Sequence, residues 1–287
     1  MSLLKIGNKT FDLDKKTVIM GILNVTPDSF SDGDKFFSVD SAVKHAVDME
    51  KHGADIIDIG GESTRPSATS VSLNEEMKRV IPVIEQLIGK IKIPLSIDTY
   101  KSEVAKKALD LGVGMVNDIT ALRGDKKLVN IVANYKVPVC LMHMKGNPRD
   151  MQKNPVYDDI IFEIKNFLKE RAEYAISNNV KKENIIIDPG LGFGKRTGKG
   201  VEDNCEILKR LGELKDLGYP LMVGSSRKTF IGNICGKEKQ LPVEDRLEGS
   251  LAAACVAAID GANIIRVHDV KETKRCIDIV DCITKNR

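Results

Sequence analysis

The chain predicts a single α/β domain folded as a (β/α)8 TIM barrel, on three observations. Eight short apolar runs alternate with helical periods along its 287 residues. No linker or low-complexity tract interrupts them. Polar residues gather at the C-terminal end of each run, where a barrel collects its chemistry. A doubly wound sheet is the structural alternative, but no G-x-G-x-x-G opens a helix after the first run.

The first strand is read over residues 18–25, an apolar run bounded by polar residues. Asn24 sits at its C-terminal end. The polar, Pro- and Gly-bearing stretch that follows, as far as Gly33, reads as a loop over an active site. The second strand, 55–60, runs into Gly61-Glu62-Ser63-Thr64-Arg65-Pro66. Met77, Val80, Ile81, Ile84, Leu87 and Ile88 then line one face of a helix. The third strand, 94–98, ends at Asp98, and the fourth, 115–119, carries Asn117 and Asp118. The fifth, 137–142, ends at Met142-His143, and Ile160, Ile164, Phe167 and Leu168 mark the helix after it. The sixth, 184–188, ends at Asp188 and leads through Pro189-Gly190 to Gly192-Phe193-Gly194-Lys195. The seventh, 220–224, runs into Ser225-Ser226-Arg227-Lys228. The eighth, 264–267, carries Arg266, and His268 lies two residues on, hence on the same face. Cys276, Val280 and Ile283 mark the last helix. Gly53, Gly112, Gly218 and Gly261 fall where helices stop before the next strand.

Composition narrows the function. Lys plus Arg number 44 against 41 Asp plus Glu, a net charge of +3 that is too balanced for a nucleic-acid footprint. Trp is absent and aromatics are 5%, which argues against base-stacking platforms. Cysteines 140, 205, 235, 255, 276 and 282 form no C-x-x-C pair or metal-spaced cluster, so reduced thiols in a cytoplasmic protein are expected. No long apolar signal region opens the chain, and the most apolar run, 251–259, is too short to span a bilayer. The expected partners are small molecules, not nucleic acid or membrane.

The residue types indicate the chemistry. Asp98, Asn117 and Asp188 offer acceptors and an amide at strand ends, which suits a flat heterocycle with several N–H donors. Met142 and Phe193 can pack on such a ring. Arg65, Arg266 and His268, with Lys228 nearby, make a cationic rim for phosphate or pyrophosphate. Lys228 also precedes a helix expected at Thr229, whose N-terminus favours an anion. The alternative for Arg227 and Lys228 is a solvated surface pair. No base–nucleophile pair is visible, so no covalent intermediate is inferred.

Taken together, Gly21-Ile22-Leu23-Asn24-Val25-Thr26-Pro27-Asp28-Ser29-Phe30-Ser31-Asp32-Gly33, Asp58-Ile59-Gly60-Gly61-Glu62-Ser63-Thr64-Arg65-Pro66, Ser96-Ile97-Asp98-Thr99, Asn117-Asp118, Leu141-Met142-His143-Met144-Lys145-Gly146, Asp188-Pro189-Gly190, Ser226-Arg227-Lys228 and Arg266-Val267-His268-Asp269 resemble the dihydropteroate synthase family. The resemblance covers the chain almost end to end. It implies a folate-pathway transferase that joins 6-hydroxymethyl-7,8-dihydropterin diphosphate to p-aminobenzoate and releases pyrophosphate. The implied mechanism is SN1-like, and sulfonamides mimic the second substrate. By resemblance, Asp98, Asn117, Ile119, Met142, Asp188, Phe193 and Lys228 surround the pterin. Asn24 is the Mg2+ residue and shares the diphosphate with Arg65, Arg266 and His268. Thr64, Pro66, Lys228 and Thr229 lie near p-aminobenzoate, and two loops, one holding Asp28, Ser29, Phe30 and Asp32, the other around 63–67, close over it. Lys228, Arg65, Arg266 and His268 are the implied catalytic groups.

The resemblance also implies a homodimer through the late helices, where Leu251-Ala252-Ala253-Ala254 offers a packing surface; the alternative is that these alanines pack on the barrel. A pterin-dependent methyltransferase and a non-catalytic pterin-binding paralogue are the competing functions. The 24–33 loop and Ser226-Arg227-Lys228 argue against the first, and intact Asn24, Arg65, Lys228 and Arg266 against the second. Three departures from the family pattern stand out: Asp34 and Ser67 replace usual glycines, and Arg196-Thr197-Gly198-Lys199-Gly200 is longer than usual. The basic residues of that run belong either near phosphate or in a solvated loop.

Overall fold

The computed structural model describes residues 2–26, 35–63, 71–146, 151–198, 201–236 and 238–285. It begins with a hairpin that the sequence does not predict. Strand β1 (Leu3–Ile6) pairs antiparallel with β2 (Lys9–Asp12). Alternation buries Leu4 and Ile6, which pack with Leu13 on Val18, Met20, Ile56, Met115, Cys140, Ile186, Met222 and Ile264. Those partners lie at or near the N-terminal starts of the barrel strands, so the hairpin covers the end of the barrel opposite the polar residues. Each large aliphatic buried there contributes about 1.5–3 kcal/mol.

The barrel strands are β3 (Val18–Asn24), β4 (Ile56–Gly60), β5 (Leu95–Asp98), β6 (Met115–Asp118), β7 (Val139–Met142) and β8 (Ile185–Asp188). A small antiparallel pair follows, β9 (Thr197–Gly198) with β10 (Val201–Glu202), and then β11 (Met222–Val223) and β12 (Ile264–Val267). The eight barrel strands run parallel in the order β11-β12-β3-β4-β5-β6-β7-β8. A parallel bridge between Ile187 and Leu221 joins the two ends of the sheet, and the Ile187 amide donates to the Pro220 carbonyl at 2.9 Å. The barrel is therefore closed.

Helices α1 (Lys35–Lys51), α2 (Leu73–Leu87), α3 (Ser102–Asp110), α4 (Leu128–Tyr135), α5 (Ile160–Ser177) and α6 (Asp203–Lys209) follow the first six barrel strands. Two helices, α7 (Thr229–Gly236) and α8 (Leu247–Ile259), follow β11, and α9 (Val270–Thr284) follows β12. Outward strand residues such as Ile57, Ile59, Ile97 and Leu141 pack with Val80, Ile84, Leu87 and Val104 of the helices in one large core. Caps fix two helix starts: Ser72 accepts from the Glu75 amide at 3.2 Å and Asp159 from the Phe162 amide at 3.0 Å. Gly53, Gly112, Gly218 and Gly261 all take positive φ at helix ends, as expected.

Some expectations are corrected. The strand read over 220–224 shortens to Met222–Val223. Ile88 and Ile283, expected on buried helix faces, are 45% and 78% exposed. Ile88 caps α2 and Ile283 sits in the last turn of α9, so both have passed the barrel wall. Ala253 and Ala254 are buried in the core, so the barrel-packing alternative holds for those two.

Candidate active site

The period of two in each strand turns Asp58, Asp98, Asn117, Asp188 and Arg266 toward the barrel interior, above the apolar layer. Arg266 joins three strands: its Nε donates to Asp58 Oδ2 at 2.6 Å and its Nη2 to Asp98 Oδ2 at 2.7 Å. Asn117 Nδ2 donates to the same Asp58 Oδ2 at 2.9 Å. Asp58 Oδ1 and Asn117 Oδ1 are buried and meet no hydrogen-bond partner among the described residues. Burial pushes the Asp98 carboxyl up, to about 7, with Asp58 adding to the rise and Arg266 opposing it. Burial also works against the Arg266 charge, but Asp58 and Asp98 outweigh it and hold the guanidinium above its usual value.

Arg266 thus bonds to acceptors on β4 and β5. The sequence places it wholly on a cationic rim; two of its N–H groups are instead committed to carboxylates. Asp58 carries no role in the sequence reading beyond its motif. The signal was there: one charge inside Ile-Ile-Asp-Ile has to find a partner.

The loop after β8 builds the opposite wall. Asp188 Oδ1 accepts from the Gly190 amide at 2.7 Å, and burial pushes its carboxyl up. Gly190 has φ 68°, and a Cβ there would fall 2.0 Å from the His143 carbonyl oxygen. Only glycine lets this loop press against the end of β7. Phe193 packs on the buried cluster Ile119, Met142, Met144 and Met151, which makes an apolar face. Lys228 Nζ lies 4.2 Å over the Phe193 ring and donates to the Leu191 carbonyl at 2.6 Å. Burial lowers the Lys228 ammonium to about 8, against the pull of Asp188. The residues expected around the ring, Asp98, Asn117, Ile119, Met142, Asp188, Phe193 and Lys228, therefore share one end of the barrel. Asp98 and Asn117 are tied there to Arg266 and Asp58, while Ile119, Met142 and Lys228 gather around Phe193.

Lys195 is a further residue without a role in the sequence reading. It is 1% exposed. Its Nζ donates to the carbonyls of Pro189 at 2.8 Å and Phe193 at 3.0 Å, and lies 2.8 Å from His143 Nδ1. Burial drives its ammonium well below the usual value. No spacing rule marks such a lysine, because most of its partners are backbone oxygens.

On the anion side, Ser226 Oγ lies 3.0 Å from His268 Nδ1 and accepts from the His268 amide at 3.2 Å. Arg227, at φ 57°, donates through Nε to Asp269 at 2.9 Å, so the solvated-pair alternative fails for it. Thr229 starts α7 and is exposed. Asn24 ends β3 opposite Gly60, where an added Cβ would stand 3.7 Å from both Asn24 Oδ1 and Asp98 Oδ2. Glycine at 60 keeps that space open.

Asp28, Ser29, Phe30, Asp32 and Asp34, together with Thr64, Arg65, Pro66 and Ser67, lie outside the described residues, as do Lys199 and Gly200. Glu62 and Val71, which flank the second of these stretches, are tied: the Val71 amide donates to Glu62 at 3.3 Å. Lys101 pairs with both Glu62 and the buried Glu76. Arg196 pairs with Asp203 at 2.9 Å while its side chain stays 36% exposed, which fits the loop alternative.

Comparison with known proteins agrees with this architecture. A family model for pterin binding enzymes matches residues 20–268. The dihydropteroate synthase of Clostridium beijerinckii is 45% identical over 283 residues, spanning 98% of this chain and 100% of that protein. The Yersinia pestis dihydropteroate synthase with a sulfonamide drug complex superposes with a TM-score of 0.90 at 42% identity, covering 98% of each chain. The Xanthomonas albilineans dihydropteroate synthase in complex with 7,8-dihydropteroate gives 0.87 at 41% identity, covering 99% of this chain and 100% of that one. With these matches spanning nearly the whole length, the chain belongs to the pterin-binding enzymes, in the dihydropteroate synthase family.

Proposed function

We propose that this transferase joins 6-hydroxymethyl-7,8-dihydropterin diphosphate to p-aminobenzoate by an SN1-like displacement. The observation that carries the reading is the buried Asn117 Oδ1, which meets no hydrogen-bond partner among the described residues and lies next to Asp98 across β5 and β6, at the same end of the barrel as Asp188, Met142 and Phe193. A ring with N–H donors satisfies all three acceptors at once. The carbon–oxygen bond to the diphosphate breaks first and its electron pair leaves with the diphosphate. The flanking carboxylates favour the positive charge that develops on the ring. The aniline nitrogen then forms the carbon–nitrogen bond and gives up its proton. Arg266, with N–H groups left beyond its two carboxylates, and His268 take the anion, with Arg65. Lys228 holds the ring face, and Thr64, Pro66 and Thr229 the p-aminobenzoate.

Mg2+ fits this donor set as a minority partner. No group of three or more His, Cys, Asp or Glu able to hold a metal occurs among the described residues, and Asn24 supplies one neutral oxygen next to open space. A hard cation that takes most of its oxygens from phosphate and water suits such a site. Bound there, it neutralises charge on the leaving diphosphate. A homodimer is supported by Val256 and Ile259 of α8 and Ile279 and Ile283 of α9, all exposed apolar side chains. A cytoplasmic setting is supported by six unpaired cysteines. Among the described residues no helix is long and apolar enough to cross a membrane.

The test is pyrophosphate release from the pterin diphosphate, with and without p-aminobenzoate. Release coupled to dihydropteroate formation supports the reading, and sulfonamide should compete with p-aminobenzoate. Tight pterin binding without release favours a binding protein instead.

A further inference from the structure

Asp58 is fully buried, and its place in the pocket is set by the groups that share it. One oxygen, Oδ2, accepts from Asn117 Nδ2 at 2.9 Å and from Arg266 Nε at 2.6 Å. The donors come from β6 and β12, so Asp58 on β4 links three strands. An ionised carboxylate only accepts, whereas a primary amide can present either end. With Asp58 as its neighbour, Asn117 has to turn its NH2 inward and its carbonyl away. That carbonyl oxygen is buried without a donor. A buried acceptor left unpaired is costly, and a ligand that donates to it removes the cost. Arg266 is constrained in the same way: Nε on Asp58 and Nη2 on Asp98 fix the plane of the guanidinium.

We propose that Asp58 is a positioning residue of the pterin pocket, which fixes Asn117 as an acceptor and sets the Arg266 plane, so that the pocket selects a ring edge bearing an N–H donor. The proposal rests on the reading of this site as a pterin pocket. Asp58 acts through Asn117 and Arg266. An analogue with a lone pair at the edge facing Asn117 is rejected, because two acceptors then face each other out of water.

The experiment is calorimetric titration with 6-hydroxymethylpterin, with thermal melting run in parallel. The proteins are the wild type, Asp58→Asn, Asn117→Ala and the double variant. An amide at position 58 keeps the volume but removes the charge to which both Asn117 and Arg266 donate, so the hold on the two weakens. Pterin affinity should fall at least about tenfold in Asp58→Asn, the order of one charged hydrogen bond. In the Asn117→Ala background the same change should cost less than about threefold, since residues acting as a unit are not additive. Unchanged affinity in Asp58→Asn overturns the proposal, and so does an equal loss in both backgrounds. If Asp58→Asn does not fold, the swap Asp58→Asn with Asn117→Asp decides. In that swap the amide at position 58 donates to the carboxylate at position 117, whose second oxygen still faces the ring. Affinity within about tenfold of the wild type supports the proposal, and affinity as poor as that of Asn117→Ala overturns it. Failure of the wild type to bind the pterin sinks the pocket reading itself, whereas a wild type that binds beside an indifferent Asp58→Asn sinks the positioning role alone.

Discussion

Arg266 and Lys195 both set a basic side chain beside the proposed pterin pocket, and they are satisfied in opposite ways. Arg266 is bonded to two carboxylates, Asp58 and Asp98, on neighbouring strands. Lys195 forms no ion pair among the described residues: its closest acceptors are the Pro189 and Phe193 carbonyls and His143 Nδ1. Burial, helped by Lys195, holds the His143 imidazole well below its usual value, so it stays neutral and can accept. With the His143 carbonyl at 3.3 Å as well, Lys195 Nζ meets four acceptors, three of them backbone oxygens. The first arrangement concentrates charge and decides what the pocket recognises. The second uses neutral dipoles and decides the shape of the loop that carries Phe193. Carboxylates surround one and backbone oxygens with a neutral imidazole surround the other, so the two should answer differently to mutation and to pH.

The largest effect is expected from Arg266→Met. It leaves Asp58 and Asp98 buried without their cation, and removing one partner of a buried ion pair costs about 3–5 kcal/mol. Urea denaturation measures this. A loss below about 1 kcal/mol would mean that the carboxylates are already neutral, and the contrast between the two cations would collapse.

Lys195→Met should cost less, about 2–3 kcal/mol. Each carbonyl left without a donor costs roughly 1–3 kcal/mol, and part of that is offset because a buried charge no longer has to be desolvated. The same urea experiment checks the order of the two. If Lys195→Met is the more damaging, the carbonyl cage matters more to folding than the charge cluster does.

Asp188 tests the point where the arrangements meet, since Lys228, Lys195 and Arg266 all act on its charge. Asp188→Asn should weaken a pterin analogue by about 1–3 kcal/mol, the worth of a hydrogen bond to a charged group. Calorimetry with the analogue measures it. Equal affinity would remove Asp188 from the recognition surface and leave the Arg266 cluster to do that alone.

The contrast also explains what the sequence could reveal. Asp98, Asn117 and Asp188 are legible because strand ends are local: an apolar run stops and a polar residue follows. Barrel closure is legible for the same reason, as eight such runs repeat. Arg266 is legible as a cation but not as the partner of Asp58, 208 residues away. Lys195 looks like one more surface lysine, because its partners are mostly carbonyls that every residue carries. The β1–β2 hairpin is missed since its alternation is short, and what it covers is assembled only when the barrel strands meet. Stretches holding Arg65 and Asp28 are read from motif alone.

The remaining effect is the one that separates the two side chains by pH. Three carboxylates, Asp58, Asp98 and Asp188, act on Arg266, while Glu76 and Asp118 add their repulsion to Asp98. Lys228 also feels Asp98, but Asp98 remains the group pushed up to about 7 from an ordinary 3.8. A carboxyl raised in the fold holds its proton more tightly folded than unfolded. Its contribution to stability is therefore full below about pH 4 and is lost as pH climbs through 7. Asp98→Asn keeps the shape and cannot ionise. Relative to the wild type it should be more stable at pH 8 than at pH 5, by roughly 1–3 kcal/mol; the weakened bond to Arg266 is the same at both pH values and cancels. Pterin affinity should fall at the same time, because an acceptor on the ring side becomes an amide. Urea melts of both proteins at the two pH values give the answer. Lys195→Met, whose lost partners are mostly backbone, should show no such dependence on the Asp98 carboxyl. If the Asp98→Asn difference is the same at both pH values, Asp98 ionises freely beside Arg266, and the cluster is a balanced ion network, not an excess of negative charge held ready for a cationic ring.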